Sequence, residues 1–177
     1  MLHRFSQLVC EMYKMAEAAS PDDFAAELVR LIQGLIGFDG AMLGAGHYWK
    51  ETVGRLEVDS AYVFGRPLGL VDDFAAIGGS DPLTRRLCDG LDSPVFCSCQ
   101  EYYAALGLHP MQEFARTYDI EQMLLFGTPS SETTLARWLA LYRRTGISFD
   151  DTDATLLAEL WPHIHHSTSI NQRNFLN

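Results

Sequence analysis

The feature that most constrains this chain is a change of hydrophobic period between residues 35 and 56. Before it, apolar residues recur three and four places apart: Phe5, Leu8, Val9, Met12 and Ala16, then Phe24, Leu28, Leu31, Ile32 and Leu35. That spacing lays an apolar stripe along each of two amphipathic helices. After it, Leu56, Val58, Ser60, Tyr62 and Phe64 alternate with Arg55, Glu57, Asp59, Ala61 and Val63. A period of two belongs to a half-buried strand. A chain that carries both periods in succession is expected to pack helices against a sheet.

Local punctuation extends this reading. Ser20 can cap the second helix, Pro21 suits its first position, Asp22 and Asp23 meet the positive end of its dipole, and Gly37 is expected to stop it. The short apolar run Ala41 to Gly46 reads as a buried strand. The polar stretch Glu51 to Gly54 joins it to the next strand as a hairpin. Residues 66–80, with Pro67, Gly69, Gly78 and Gly79, read as a loop holding a short helix from Val71 to Ile77. Asp81 then caps another short helix, from Pro82 through Cys88.

Further along, Pro94 to Cys99 reads as a short strand, and Phe114 and Tyr118 at offset four place a helix across 109–118. Gln122 to Thr128 and Thr133 to Tyr142 are expected strands, joined by the turn Pro129-Ser130-Ser131-Glu132. A last helix begins near Asp150 and carries Leu156, Leu157, Leu160, Trp161 and Ile164. Pro162 inside it is expected to remove one backbone bond and bend it, at a cost near ~3 kcal/mol. The order describes an α+β domain of the α/β/α sandwich kind over residues 1–177. Its one sheet is covered by terminal helices on one face and by the irregular middle on the other. The last helix runs to Asn177 without a closing signal, which reads as a fragment of a longer chain.

Charge narrows the function classes. Thirteen Lys and Arg against 23 Asp and Glu give −10 at pH 7. Binding to a phosphate backbone needs a surplus of cations, so nucleic acid and anionic membrane surfaces are poor direct partners. No apolar stretch approaches a membrane span, and the first residues lack a signal-peptide core, so a cytoplasmic setting is expected. Cys10, Cys88, Cys97 and Cys99 lack the spacing of a disulfide framework and read as reduced small hydrophobes.

Frames for catalysis are missing. The chain has no G-x-S-x-G elbow, no G-x-G-x-x-G after a strand and no P-loop lysine, so no enzyme and no cofactor are expected. Cys97-Ser98-Cys99 has one intervening residue where zinc pairs have two to four. On a strand the two thiols would share a face. His163 and His166 share a helical face, with His165 beside them, but no third ligand follows at helical spacing. They read as polar-face or helix-interface groups, and no metal is expected.

The aromatic residues are more telling. Trp49, Tyr62, Phe64, Phe74, Tyr102, Tyr103 and Phe114 gather around the central strands and the Gly-rich middle. A long loop over a sheet usually covers something, and aromatic walls with a few polar tips are what small-molecule pockets are made of.

On these stretches the chain resembles a family. PDDFAAELVRLIQGLIGFDGAMLGAG, GGSDPLTRRL and MLLFGTPSSETTLARWLALYRRTGISFDDTDATLLAELWPHI are similar to the amino-terminal sensing domain of LuxR-type transcriptional regulators. That domain is a GAF- or PAS-like, autoinducer-binding-like sandwich. The resemblance implies a cytoplasmic module that binds a small molecule, forms a homodimer and signals to a carboxy-terminal helix-turn-helix domain. DNA would be reached only through that second domain. A ligand-free dimerisation module of the same fold is the alternative. The resemblance also implies that Asp81 matches the aspartate that accepts the ligand amide. Phe64, Leu68 and Asp72 then fall where the family has its Tyr, Trp and Tyr. Leu68 replaces a hydrogen-bond donor to the lactone, which weighs against an acyl-homoserine lactone. The ligand-binding set expected on these grounds is Trp49, Tyr62, Phe64, Leu68, Phe74, Asp81, Tyr102 and Phe114.

Overall fold

Helix α1 spans Leu2–Ala18 and α2 spans Pro21–Gln33, in a computed structural model that describes residues 2–49, 55–129, 135–144 and 146–175. Ser20 caps α2 as expected, its Oγ accepting from Asp23 N at 3.3 Å. The helix ends earlier than the sequence suggests. The amides of Leu35 and Ile36 both turn back to the carbonyl of Ile32, and Gln33 Nε2 donates to Phe38 O at 2.8 Å. A glycine at position 34 makes continuation costly, and the chain folds away before Gly37 is reached.

Five strands follow: β1 Gly40–Trp49, β2 Arg55–Phe64, β3 Val95–Ser98, β4 Gln122–Thr128 and β5 Ala136–Arg143. Their order in one sheet is β2-β1-β5-β4-β3, with every neighbouring pair antiparallel. The turn expected at Glu51 to Gly54 lies outside the described residues, as does Ser130 to Glu132 of the second turn.

The sheet is buried on both faces. Along β5, Leu139 and Leu141 pack with α1, α2 and α7 (Asp151–Phe175), while Trp138, Ala140 and Tyr142 pack toward the other side. That side is covered by α3 Gly69–Ile77, α4 Pro82–Asp89, α5 Cys99–Ala105 and α6 His109–Thr117. The layering is the one expected from the order of periods. Two details differ. β3 ends at Ser98, so Cys99 opens α5 and does not continue a strand. The helix over 99–105 is marked in the sequence only by the buried pair Cys99 and Tyr103, one helical turn apart.

Strand β2 holds a β-bulge. Ala45 pairs with Ser60 but Gly46 pairs with Val58, so Asp59 is an extra residue. An extra residue reverses the alternation beyond it. Leu56 and Val58 therefore face the middle helices, and after the bulge Ala61 and Val63 take that face. Tyr62 and Phe64 turn to the terminal helices, where Phe64 meets Phe38 edge-on with ring centres 6.1 Å apart.

Two polar anchors close the fold. The buried Arg66 donates to the carbonyls of Asp39 and Asp119, both at 3.0 Å, and to the Asp39 carboxylate, joining the start of β1, the end of β2 and the entry to β4. Asn171 of α7, 1% exposed, donates to the carbonyls of Ala16 and Ala19 at the end of α1. A helix end leaves its last carbonyls unpaired, and this side chain satisfies them. Asp150 caps α7, accepting from Thr152 N and Asp153 N at 2.8 and 3.0 Å. The helix runs on through Pro162, whose ring is exposed. His163 and His166 flank Tyr13 of α1, with His163 Nδ1 3.2 Å from its hydroxyl. They are interface groups between the two helices.

Candidate functional site

Between the sheet and α3–α6 the apolar side chains do not fill the space completely. A cavity of about 40 Å³ remains. Phe74 of α3, Thr84 and Leu87 of α4, and Met111 and Phe114 of α6 form its roof. Met42, Met123, Trp138 and Tyr142 form its floor. Phe74 links the two layers, with ring centres 6.1 Å from Phe114 and 6.4 Å from Trp138.

Asp81 stands in the wall, 3% exposed. It caps α4, as its sequence position before Pro82 predicts. Its Oδ1 accepts from Leu83 N at 3.1 Å and from Tyr103 Oη at 3.2 Å. Its Oδ2 accepts from Thr84 N at 3.2 Å and Thr84 Oγ1 at 2.9 Å. Burial nevertheless raises its pKa above the ordinary value, because desolvation outweighs those four donors. A carboxylate has about four acceptor positions, and here the protein fills them all. This carboxylate caps α4 and at the same time lines the cavity. Burial of Tyr103, and after it the charge of Asp81, push the tyrosine hydroxyl well above its usual range.

Trp138 is the opposite case. It is 3% exposed, it lines the cavity, and its Nε1–H has no acceptor. A buried donor left unpaired costs about 1–3 kcal/mol, which native structures seldom carry without a reason. Glycines flank Trp138 on both neighbouring strands, and the one on β1 makes room for the indole. Gly44 and Gly127 stand opposite Trp138 in register, and a Cβ on Gly44 would come within 2.3 Å of the indole ring.

Of the residues expected from the sequence, the fold brings Phe74, Asp81 and Phe114 together at this cavity. Tyr62 and Phe64 lie on the other face of the sheet, sent there by the bulge at Asp59. Leu68, 78% exposed, points to solvent at the start of α3. Tyr102 packs beside the cavity on Tyr103, ring centres 5.3 Å apart, and does not line it. Trp49 lies in β1 by its backbone, and its side chain is outside the described residues.

The lining residues absent from the expected ligand-binding set include Trp138, Tyr142, three methionines and Tyr103, the last of which the sequence places only in the wider aromatic group. For Trp138 a signal existed: a large aromatic in an apolar strand, with glycine in two other expected strands. The thiols of Cys97 and Cys99 lie against one another near Asp81, and that contact, with burial, pushes Cys99 far above the usual thiol range. A thiol held protonated is inert. Among the described residues, no three His, Cys, Asp or Glu side chains come together as a metal site, and no helix is long and apolar enough to cross a membrane.

Comparison with protein-family models gives no match, and none of the curated proteins matches. Solved structures do. The chain is similar to the N-acylhomoserine lactone dependent LuxR family transcription factor CepR2 from Burkholderia cenocepacia, with 12% identity, 98% of each chain covered and a TM-score of 0.69. It is similar to SdiA of Escherichia coli at 15% identity and a TM-score of 0.69, over 96% of this chain and 68% of that one. SdiA has also been solved in complex with octanoyl-rac-glycerol. The phycoerythrobilin-bound GAF domain of a cyanobacterial phytochrome matches at 12% identity and a TM-score of 0.62, over 95% and 96% of the two chains. The chain therefore has the fold of the autoinducer-binding domains of LuxR-type regulators, which is also the fold of GAF domains.

Proposed function

We propose that the chain is the small-molecule-sensing domain of a LuxR-type transcriptional regulator, and that its ligand occupies the cavity beneath α3–α6. The observation that carries this reading is the buried Trp138 Nε1–H without an acceptor in a cavity walled mostly by apolar side chains. The donor set specifies the ligand's chemistry. It is neutral and largely apolar, and it carries one acceptor, such as a carbonyl, for the indole.

The cavity of about 40 Å³ holds only a few water molecules as it stands. A ligand with an acyl chain enters by displacing Met42, Met111 and Met123, which are unbranched and re-pack readily. This reading makes the domain a binding module and not an enzyme. It includes a homodimer and a helix-turn-helix domain in the same protein that receives the signal, as the fold likeness to LuxR-type domains suggests.

The test is calorimetric titration with neutral esters and amides of four to eight carbons, against the parent and Trp138→Phe. Binding to the parent, weakened about tenfold or more in the variant, is expected from loss of one buried hydrogen bond. Equal binding by both would remove Trp138 from the site.

A further inference from the structure

The opposite face of the sheet holds a second and larger cavity, about 170 Å³, between β1, β2, β5 and helices α2 and α7. An apolar cavity of about 150 Å³ accepts benzene, so this one has room for a molecule of roughly six to eight heavy atoms.

Its chemistry is set by Arg137 of β5, which is half-buried among the lining residues. Its Nη1 donates to Ser169 Oγ at 2.6 Å and its Nη2 to Gln172 Oε1 at 2.7 Å. A guanidinium has five N–H donors, and these two bonds go to neutral oxygens. Among the described residues no carboxylate lies within ion-pair distance of Arg137.

The contrast with the other sequestered arginines is sharp. Arg66 pairs with Asp39, and Arg143 pairs with Asp153 at 3.0 Å. In a chain with 23 acidic side chains against 13 basic ones, this half-buried cation has no counter-charge among the described residues. Burying an unpaired charge is expensive, and burial lowers the pKa of Arg137 accordingly. Ser60 and Tyr62 add hydroxyl groups to the wall. His165 stands beside the guanidinium, and its own pKa is lowered by burial and by that cation, so it is biased towards its neutral form. Asp22 is at the mouth, exposed to solvent.

We propose that this cavity binds a small organic anion, whose carboxylate or phosphate oxyanion supplies the missing counter-charge to Arg137. Charge-assisted bonds from a guanidinium to such a group are about twice as strong as neutral ones and match its planar fork. The site is separate from the one beneath α3–α6. Trp138 and Arg137 are neighbours on β5 and so project to opposite faces of the sheet.

The test follows the arginine Nε–H signals of 15N-labelled protein by NMR during titration with sodium acetate and sodium phosphate, against sodium chloride at constant ionic strength. Acetate or phosphate is expected to shift the Arg137 signal saturably, with Kd about 1 mM or tighter. Preference for one of the two identifies the oxyanion. Arg137→Gln should weaken binding, read by thermal midpoint, by about tenfold or more. Ala25→Leu, which fills the cavity from α2 and keeps the arginine, should weaken it also. Trp138→Phe should leave it unchanged. Circular dichroism checks that each variant folds; if Arg137→Gln does not, Ala25→Leu carries the comparison. The proposal is overturned if neither anion saturates below about 50 mM, or if a folded Arg137→Gln or Ala25→Leu protein binds as tightly as the parent.

Discussion

Replacing Asp81 with alanine separates a structural role from a ligand-binding one. The substitution removes four accepted hydrogen bonds at 2.9–3.2 Å. Loss of the α4 cap costs about 1 kcal/mol. The Tyr103 hydroxyl, in a side chain 3% exposed, is left without its partner, which costs about 1–3 kcal/mol more. Against this, the variant no longer buries a carboxyl whose pKa burial has raised. We expect a net loss of about 2 kcal/mol, which for a chain of this length lowers Tm by about 4–8 °C.

Urea unfolding followed by circular dichroism measures the loss in Asp81→Ala, Tyr103→Phe and the double variant. The double variant should lose less than the sum of the singles by about 0.5 kcal/mol or more, because it removes the orphaned hydroxyl along with its acceptor. The pH dependence has a definite sign. The folded state holds the Asp81 proton more tightly than the unfolded chain. Between the ordinary value of 3.8 and the raised one, the parent therefore loses stability as pH rises, and the alanine variant lacks that slope. A loss under about 0.5 kcal/mol, or strict additivity with Tyr103→Phe, would refute the reasoning.

Two further outcomes follow from the geometry. Gly44→Ala places a Cβ 2.3 Å from the Trp138 ring and should cost about 1–3 kcal/mol in urea unfolding, with a changed tryptophan emission spectrum as the indole shifts. His165 has its pKa lowered by burial, Arg137 and His166, so the stability it contributes is complete above 6.5 and is lost as pH falls through its folded value. In chloride buffers, His165→Gln should flatten that acid limb of the Tm–pH curve; an unchanged limb would assign it to other groups.

Much of the fold was legible in the sequence because periodicity and caps are local. Ser20-Pro21-Asp22-Asp23, Asp81-Pro82 and Asp150 each mark a helix start that the structure shows. The layering followed from the order of periods. What failed was non-local or depended on a count. Strict alternation through β2 put Tyr62 and Phe64 on the same face as Leu56, and one inserted residue undid it. Resemblance drew Leu68 toward the site, whereas the turn leading into α3 leaves it exposed. Trp138 was passed over because its meaning lies in Gly44 and Gly127, which reach it only through strand pairing.

The bulge at Asp59 also decides what the cavity is made of. Beyond it, the β2 residue that meets Gly44 across the sheet is Ala61, so the strands next to Trp138 carry two of the smallest residues there. Were the same residues to run through β2 without a bulge, strict alternation from Leu56 would put Ser60, Tyr62 and Phe64 on the face of the middle helices. The bulge, in an edge strand, thus keeps two aromatic rings on the side of the terminal helices. Deleting Asp59 would leave Gly46 opposite Val58 and Ala45 opposite Ser60, so an unbulged strand would carry every remaining side chain on its present face.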